Sequence, residues 1–187
     1  MIPIKNRKKT LEATVEEMRN LSFSYIEKFS PSKQQLKTYL LKKYLKYSNP
    51  KNKKQDLMDL IDTVLLDLEK TKFISDKFYS ESKAKNLIQK GSSINKIRNY
   101  LISKGIGNKY IKETIDQINE NNENQDFFSA IKVCKKKRIG PSRPEDNRPL
   151  FYKKDISILA RNGFDFETSK KVMDLEKSEF LKIINLL

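Results

Sequence analysis

Histidine is absent from this 187-residue chain, which removes imidazole acid–base catalysis and histidine metal sites. A single cysteine, Cys134, excludes an intrachain disulfide framework and a thiolate-only metal cage. The five glycines stand singly. Neither Gly-rich nucleotide fingerprint can therefore be written, and a nucleotide-hydrolysing enzyme is excluded on that ground. No apolar run reaches the 18 residues that a membrane span needs. The opening Met1-Ile2-Pro3-Ile4-Lys5-Asn6-Arg7-Lys8-Lys9 lacks the continuous apolar core of a signal peptide and reads as a basic tail. These absences predict a cytoplasmic protein with no cofactor, no metal, no catalytic residue and no membrane contact.

Charge of one sign is abundant. Thirty-nine Lys plus Arg face 24 Asp plus Glu, a net charge of +15 with a pI of about 9.7. The excess is uneven: net +10 over residues 1–55, +1 over 56–120 and +4 over 121–187. Only seven of the cations are arginines, which argues against base readout, because Arg–guanine is the commonest specific contact. A polyanion or an acidic protein surface would suit such a chain. AT-rich codons, which encode lysine, isoleucine and asparagine, also raise the pI, so charge alone does not choose among these readings.

Apolar residues recur at helical spacing nearly everywhere and strand-like alternation is scarce, which predicts an all-α protein. A first helix carries Leu11 to Phe29. Ser30 is expected to cap a second, with Pro31 at its first position and Leu36, Leu40 and Tyr44 inward. A lysine-rich loop, 46–54, precedes a third helix through Leu57 to Leu68. Ser75-Asp76 starts a fourth, with Phe78, Tyr79 and Ala84 inward and Gly91 as its left-handed stop. Ser93 opens a fifth that stops at Gly105, and Asn108 caps a sixth. After the polar stretch 119–125, a seventh helix begins at Phe127 and ends in Lys135-Lys136-Lys137-Arg138. The loop 139–144 holds two prolines and a glycine. An eighth helix runs through Phe151, Ile156, Ile158 and Leu159 to Gly163, Asp165 caps a ninth, and Phe180–Leu187 forms a short last helix.

The helix Ser32–Tyr44 matches Ser93–Gly105 at a shift of 61 residues, and Leu159–Phe164 matches Leu101–Ile106 at a shift of 58. A short helix, a turn and a second helix recurring at this interval predict tandem three-helix, helix-turn-helix-like modules. The divisions are a basic arm and helix over 1–21, then modules at 22–70, 71–120 and 126–187. Each is too small to bury much apolar surface alone, so neighbours are expected to stack.

From Phe73 onward the residues resemble the RecX family, small bacterial regulators of the RecA recombinase. Phe73-Ile74-Ser75-Asp76-Lys77-Phe78-Tyr79-Ser80 is similar to the family's aromatic–aliphatic–(Ser/Asp)–Asp–x–x–aromatic–small segment. Lys90-Gly91, Ile97, Arg98, Leu101, Lys104-Gly105-Ile106 and Ile111 follow at the expected distances. Leu159-Ala160-Arg161-Asn162-Gly163-Phe164 resembles the closing apolar–x–Arg–x–Gly–Phe turn. Three departures stand out: Tyr44 in place of a turn glycine, a long loop from Lys46 to Gln55, and Thr71-Lys72 where a glycine is common. The resemblance implies an elongated crescent of three repeats, a non-enzymatic monomer that binds RecA nucleoprotein filaments and inhibits their ATPase, strand-exchange and coprotease activities. It also implies contact with single- or double-stranded DNA through the backbone. The alternative is a stand-alone basic nucleic-acid-binding protein.

Two cationic sets are the binding candidates, for RecA or for a DNA backbone. Lys83, Lys85, Lys90, Lys96, Arg98 and Lys104 lie on the fourth and fifth helices, whose polar faces can reach phosphates or an acidic groove. Lys135, Lys136, Lys137 and Arg138, with Arg143 and Arg148, form the densest stretch, although cations at a helix C-terminus are also favoured by the macrodipole. Lys51, Lys53 and Lys54 are a looser cluster. Tyr25, Phe29, Tyr39, Tyr44, Phe78, Tyr79, Tyr100 and Tyr110 can stack on bases or fill small helical cores. Asp62, Asp67, Glu69 and Asp76 share no spacing that would define a metal site, and Cys134 falls on an apolar helix face.

Overall fold

A computed structural model describes residues 10–187, so the basic tail Arg7-Lys8-Lys9 lies outside the described residues. Among the described residues ten α-helices follow one another: α1 (Val15–Phe29), α2 (Lys33–Tyr47), α3 (Lys54–Lys70), α4 (Asp76–Gln89), α5 (Ile94–Ser103), α6 (Asn108–Asn121), α7 (Gln125–Lys137), α8 (Arg148–Arg161), α9 (Phe166–Met173) and α10 (Lys177–Leu186). Short 3-10 turns occupy Gly140–Ser142 and Glu145–Asn147. Extended pairing among the described residues is limited to one bridge between Leu11 and Ser48. The fold is all-α.

The chain divides into two compact units. One comprises the described chain up to Tyr79 together with Lys104–Ile106, and the other comprises Ser80–Ser103 and Gly107–Leu187.

In the first unit, α3 places Leu57, Ile61, Val64, Leu65 and Leu68 on one stripe at the 3.6-residue period. They pack with Met18 of α1, Leu36, Leu40 and Tyr44 of α2, and Ile74. Burying each such side chain contributes roughly 1.5–3 kcal/mol. The rims of the same helices are tied by charge: Arg19 to Asp67 at 3.4 Å, Lys33 to Glu69 at 2.6 Å and Lys37 to Asp62 at 2.5 Å.

The core of the second unit gathers Ala130, Ile131, Val133 and Cys134 of α7, Leu159 of α8, Phe164, Val172 and Met173 of α9, and Phe180 of α10. Ser80 and Thr114 form a buried hydroxyl pair at 2.9 Å in this unit, so neither buried polar group is left unsatisfied.

Each unit contains the same polar joint. The Ser32 hydroxyl donates to the carbonyl of Lys104 at 2.6 Å, while the Lys33 amide donates to Asp76 Oδ1 at 2.9 Å. In the second unit the Ser93 hydroxyl donates to the carbonyl of Asn162 at 2.8 Å, and the Ile94 amide to Asp126 Oδ1 at 2.8 Å. Both serines also cap their own helices, accepting from the amides of Gln35 at 3.2 Å and Lys96 at 3.1 Å. The shift of 61 residues is thus carried by a shared mode of attachment as well as by apolar spacing.

Several local expectations are corrected. Ser32, not Ser30, caps α2, because Gln35 completes a capping box with it; Ser30 instead ends α1 in a left-handed conformation at φ 42°. Phe78 was expected inward but is 70% exposed. Gly107 rather than Asn108 occupies the cap of α6. Helix α8 runs through Phe151 as expected, with Pro149 in its first turn, where the missing proline N–H costs nothing.

Candidate functional site

The candidate cations sort into three environments. Lys83 is half-buried and Lys85 exposed on α4; Lys90, in the turn just past its end, is exposed, as are Lys96 and Arg98 on α5. At about 100° per residue Lys85 lies about 160° from Lys83, and Arg98 as far from Lys96. These residues belong to the second unit and the half-buried Lys104 to the first. The helices therefore do not gather this set onto one face. The Lys96 ammonium donates to Asn162 Oδ1 at 3.3 Å.

Lys135, Lys136, Lys137 and Arg138 are all exposed at the C-terminal end of α7. Arg138 takes the left-handed cap position, φ 54° and ψ 49°, with its amide donating to the carbonyls of Cys134 and Lys135. The helix end contributes a partial negative charge that favours these cations, and four consecutive cationic side chains fan out around it. This is a patch built by one helix terminus.

Arg143 and Arg148 face inward. The Arg143 guanidinium clasps Asp155 through Nε at 2.6 Å and Nη2 at 2.9 Å, and the Gly140 amide donates to the same carboxylate at 2.9 Å. Asp155 is fully buried. Burial works to raise its carboxyl, but the bonds from Arg143 and Gly140 together with nearby cations outweigh it and hold it below the ordinary carboxylate range. Arg143 also lies 4.5 Å from the centroid of the Phe151 ring. Arg148 donates through Nη2 to the carbonyls of Met173 at 2.7 Å and Leu175 at 2.8 Å, satisfying acceptors at the end of α9. Nothing in their sequence spacing distinguished these two arginines from the exposed run before them; a buried Asp155 twelve residues from Arg143 was the missing signal.

The acidic residues are engaged as well. Asp62, Asp67 and Glu69 meet cations of α2 and α1, and Asp76 accepts the Lys33 amide. Among the described residues no group of three or more His, Cys, Asp or Glu is placed to hold a metal. Cys134 is fully buried, and burial, with the Asp155 charge second, pushes its thiol up to about 12. Such a thiol is inert as a nucleophile at neutral pH.

The aromatics divide between core and surface. Tyr44 and Tyr79 are buried, Tyr25, Tyr39, Tyr100 and Tyr110 are half-buried, and Phe29 and Phe78 are exposed.

Known proteins supply the remaining observation. The chain is 28% identical over 166 residues, 84% of either chain, to a protein of Myxococcus xanthus named regulatory protein RecX. It is 27% identical over 117 residues, 61% of this chain and 59% of the other, to a protein of the same name from Agrobacterium fabrum. The chain is thus similar to proteins named regulatory protein RecX along most of its length. No family model and no solved structure matches it. A likeness over 84% of the chain extends into both compact units. Among the described residues no helix is long and apolar enough to cross a membrane.

Proposed function

We propose that this chain is a non-enzymatic regulator of the RecA recombinase that binds RecA nucleoprotein filaments and restrains their ATPase, strand-exchange and coprotease activities. The observation that carries this reading is the likeness to regulatory protein RecX of Myxococcus xanthus along 84% of both chains. The mechanism is steric and electrostatic. The helical chain occupies the filament groove, spans neighbouring RecA protomers and blocks their conformational turnover or the addition of monomers.

The contact we assign to the exposed run Lys135, Lys136, Lys137 and Arg138, because it is solvent-facing and fixed at a helix end. Arg143 and Arg148 support the fold beneath it through Asp155 and the end of α9. The exposed Lys85, Lys90, Lys96 and Arg98 remain a second, weaker candidate contact. The reading places the protein in the cytoplasm, where RecA filaments form.

The test is DNA-dependent ATP hydrolysis by pre-formed RecA filaments at stoichiometric concentrations of this protein. Suppression is expected, relieved by the combined K135E, K136E, K137E and R138E variant and largely retained by K85E with K90E. Absence of suppression by the native chain would overturn the reading; relief by the second variant alone would move the contact to α4.

A further inference from the structure

Two helix ends carry charge of the sign that the helix dipole disfavours. Helix α6 has Lys109 in its first turn and Glu120 in its last, with Asp116 one turn earlier and Glu123 just beyond the end. A helix C-terminus bears partial negative charge, so local helix physics does not account for carboxylates there. Helix α3 shows the converse at its start. Lys53 occupies the cap without a side-chain bond, Lys54 follows, and Lys51 stands in the turn before; Asp56 is the only carboxylate of the first turn. Ser, Thr, Asp and Asn are the residues that cap a helix well.

These groups are left over once the internal ion pairs are made. Asp62, Asp67 and Glu69 of α3 are spent on Lys37, Arg19 and Lys33. Lys51, Lys53, Lys54, Asp116, Glu120 and Glu123 are all exposed, and none enters an ion pair among the described residues. From Glu113 to Ile131 the chain holds five carboxylates and no cation, in a protein of net charge +15. Glu123 lies on a cavity of about 440 Å³ walled by Phe127 and Phe128, whose rings meet edge to face at 5.6 Å. The other carboxylates of this cavity are taken: Asp126 accepts the Ile94 amide, and Glu167 pairs with Lys171 at 3.0 Å. Such a cavity suits a lysine, whose methylene stem packs on rings while its ammonium reaches the free carboxylate.

We propose that the lysine turn at the start of α3 in one copy of this chain docks on the carboxylate end of α6 in a second copy. The occupant is a second copy because the chain itself supplies both surfaces, at matching length. Glu113, Asp116 and Glu120 fall within about 60° of one another around the helix and rise about 10 Å along it. Lys51 to Lys54 spans at most about 10 Å of chain. Docking brings three ammonium groups to this row and sets the positive end of one helix dipole against the negative end of another. Charges that are unfavourable within each helix become favourable across the contact. The two surfaces differ, so the contact is heterologous and adds copies end on end unless the rotation closes a ring. It needs no RecA and stands apart from the regulatory reading.

The test is sedimentation velocity of the full-length chain over a range of protein concentration and salt. Net repulsion between copies of charge +15 reaches far in dilute salt, whereas opposed charges in contact are screened last. Association is therefore expected to peak at about 0.15 M salt and to fall off toward about 0.01 M and about 1 M, where the Debye length is about 30 Å and about 3 Å. The monomer that the resemblance implies is the state expected at both extremes. The combined K51E, K53E and K54E variant lowers the net charge, yet its association constant should drop at least about tenfold. The combined D116K, E120K and E123K variant should drop as far. Each set places a favourable charge at its helix end, so urea midpoints should equal or exceed that of the native chain. Mixed in equal amounts the two variants should associate again, because each surface then meets its opposite on the other chain. A monomer at every salt and concentration would overturn the proposal, and so would association that climbs steadily with salt or ignores both variants. Suppression of RecA ATPase by the native chain is a separate readout, so failure here is distinguishable from failure of the regulatory reading.

Discussion

The hydroxyl of Ser93 donates to the carbonyl of Asn162 at 2.8 Å, across 69 residues of sequence. Beside it, Gly163 sits at φ 89°, and a Cβ built there would lie 2.4 Å from Ser93 Oγ and 3.3 Å from the backbone nitrogen of Lys96. Gly105 repeats the situation in the first unit at φ 74°, with Gln34 2.4 Å from a built Cβ. The glycine turn is thus needed twice over, for its left-handed backbone and for the close approach to a helix N-terminus. Tyr44, at the matching position in α2, meets neither demand: α2 runs on to Tyr47, and the Tyr44 ring is fully buried in the core.

Gly163→Ala is expected to destabilise the protein by at least about 1–2 kcal/mol from the left-handed backbone alone, before the clash with Ser93 is added. Gly107→Ser is the control. Its φ is −67°, nothing lies within 4 Å, and a serine at the cap of α6 should stabilise by a few tenths of a kcal/mol. Urea melts of the two variants check the sign of each change.

Lys72 adopts φ 61°, a conformation that costs a side chain about 1–2 kcal/mol. Lys72→Gly relieves that strain while gaining unfolded-chain entropy, so a net stabilisation of about 0.5–1 kcal/mol is expected. A lower denaturation midpoint for the glycine variant would show that the lysine side chain has a compensating role.

Removing one partner of the Arg143–Asp155 pair strands the other. Arg143→Met should cost about 3–5 kcal/mol by leaving a buried carboxylate uncompensated. The pH dependence has a defined sign. Because Asp155 is held below its ordinary value in the fold, its contribution is complete above the unfolded carboxyl range near pH 4 and is lost as pH falls below it. The stability gap between the native chain and Asp155→Asn should therefore close toward pH 3. Asp126 should show the opposite trend. Burial raises its carboxyl despite the bond from the Ile94 amide, so the native chain should gain on Asp126→Asn as the pH falls. Melts between pH 3 and 7 read both.

Cys134, with its thiol pushed up to about 12 and no exposed surface, should resist aromatic disulfide reagents in the folded protein at pH 8. Labelling should follow the urea unfolding curve. Stoichiometric labelling of the native chain within minutes would contradict that burial.

The sequence by itself determined the all-α class, nearly every helix, the left-handed glycine stops at Gly91, Gly105 and Gly163, and the likeness to RecX proteins. Those features are written in local terms: the 3.6-residue period, capping side chains, and the one residue type that accepts positive φ without strain. Tertiary structure alone decided which cations are available. Arg143 and Arg138 are five residues apart and carry the same guanidinium group, yet one is spent on a buried carboxylate fixed by packing and the other faces solvent. The same holds for the aromatics, where Tyr44 fills the core and Phe29 is exposed. A charge or a ring acquires its role from what the neighbouring helix places against it, and that pairing has no signature along the chain.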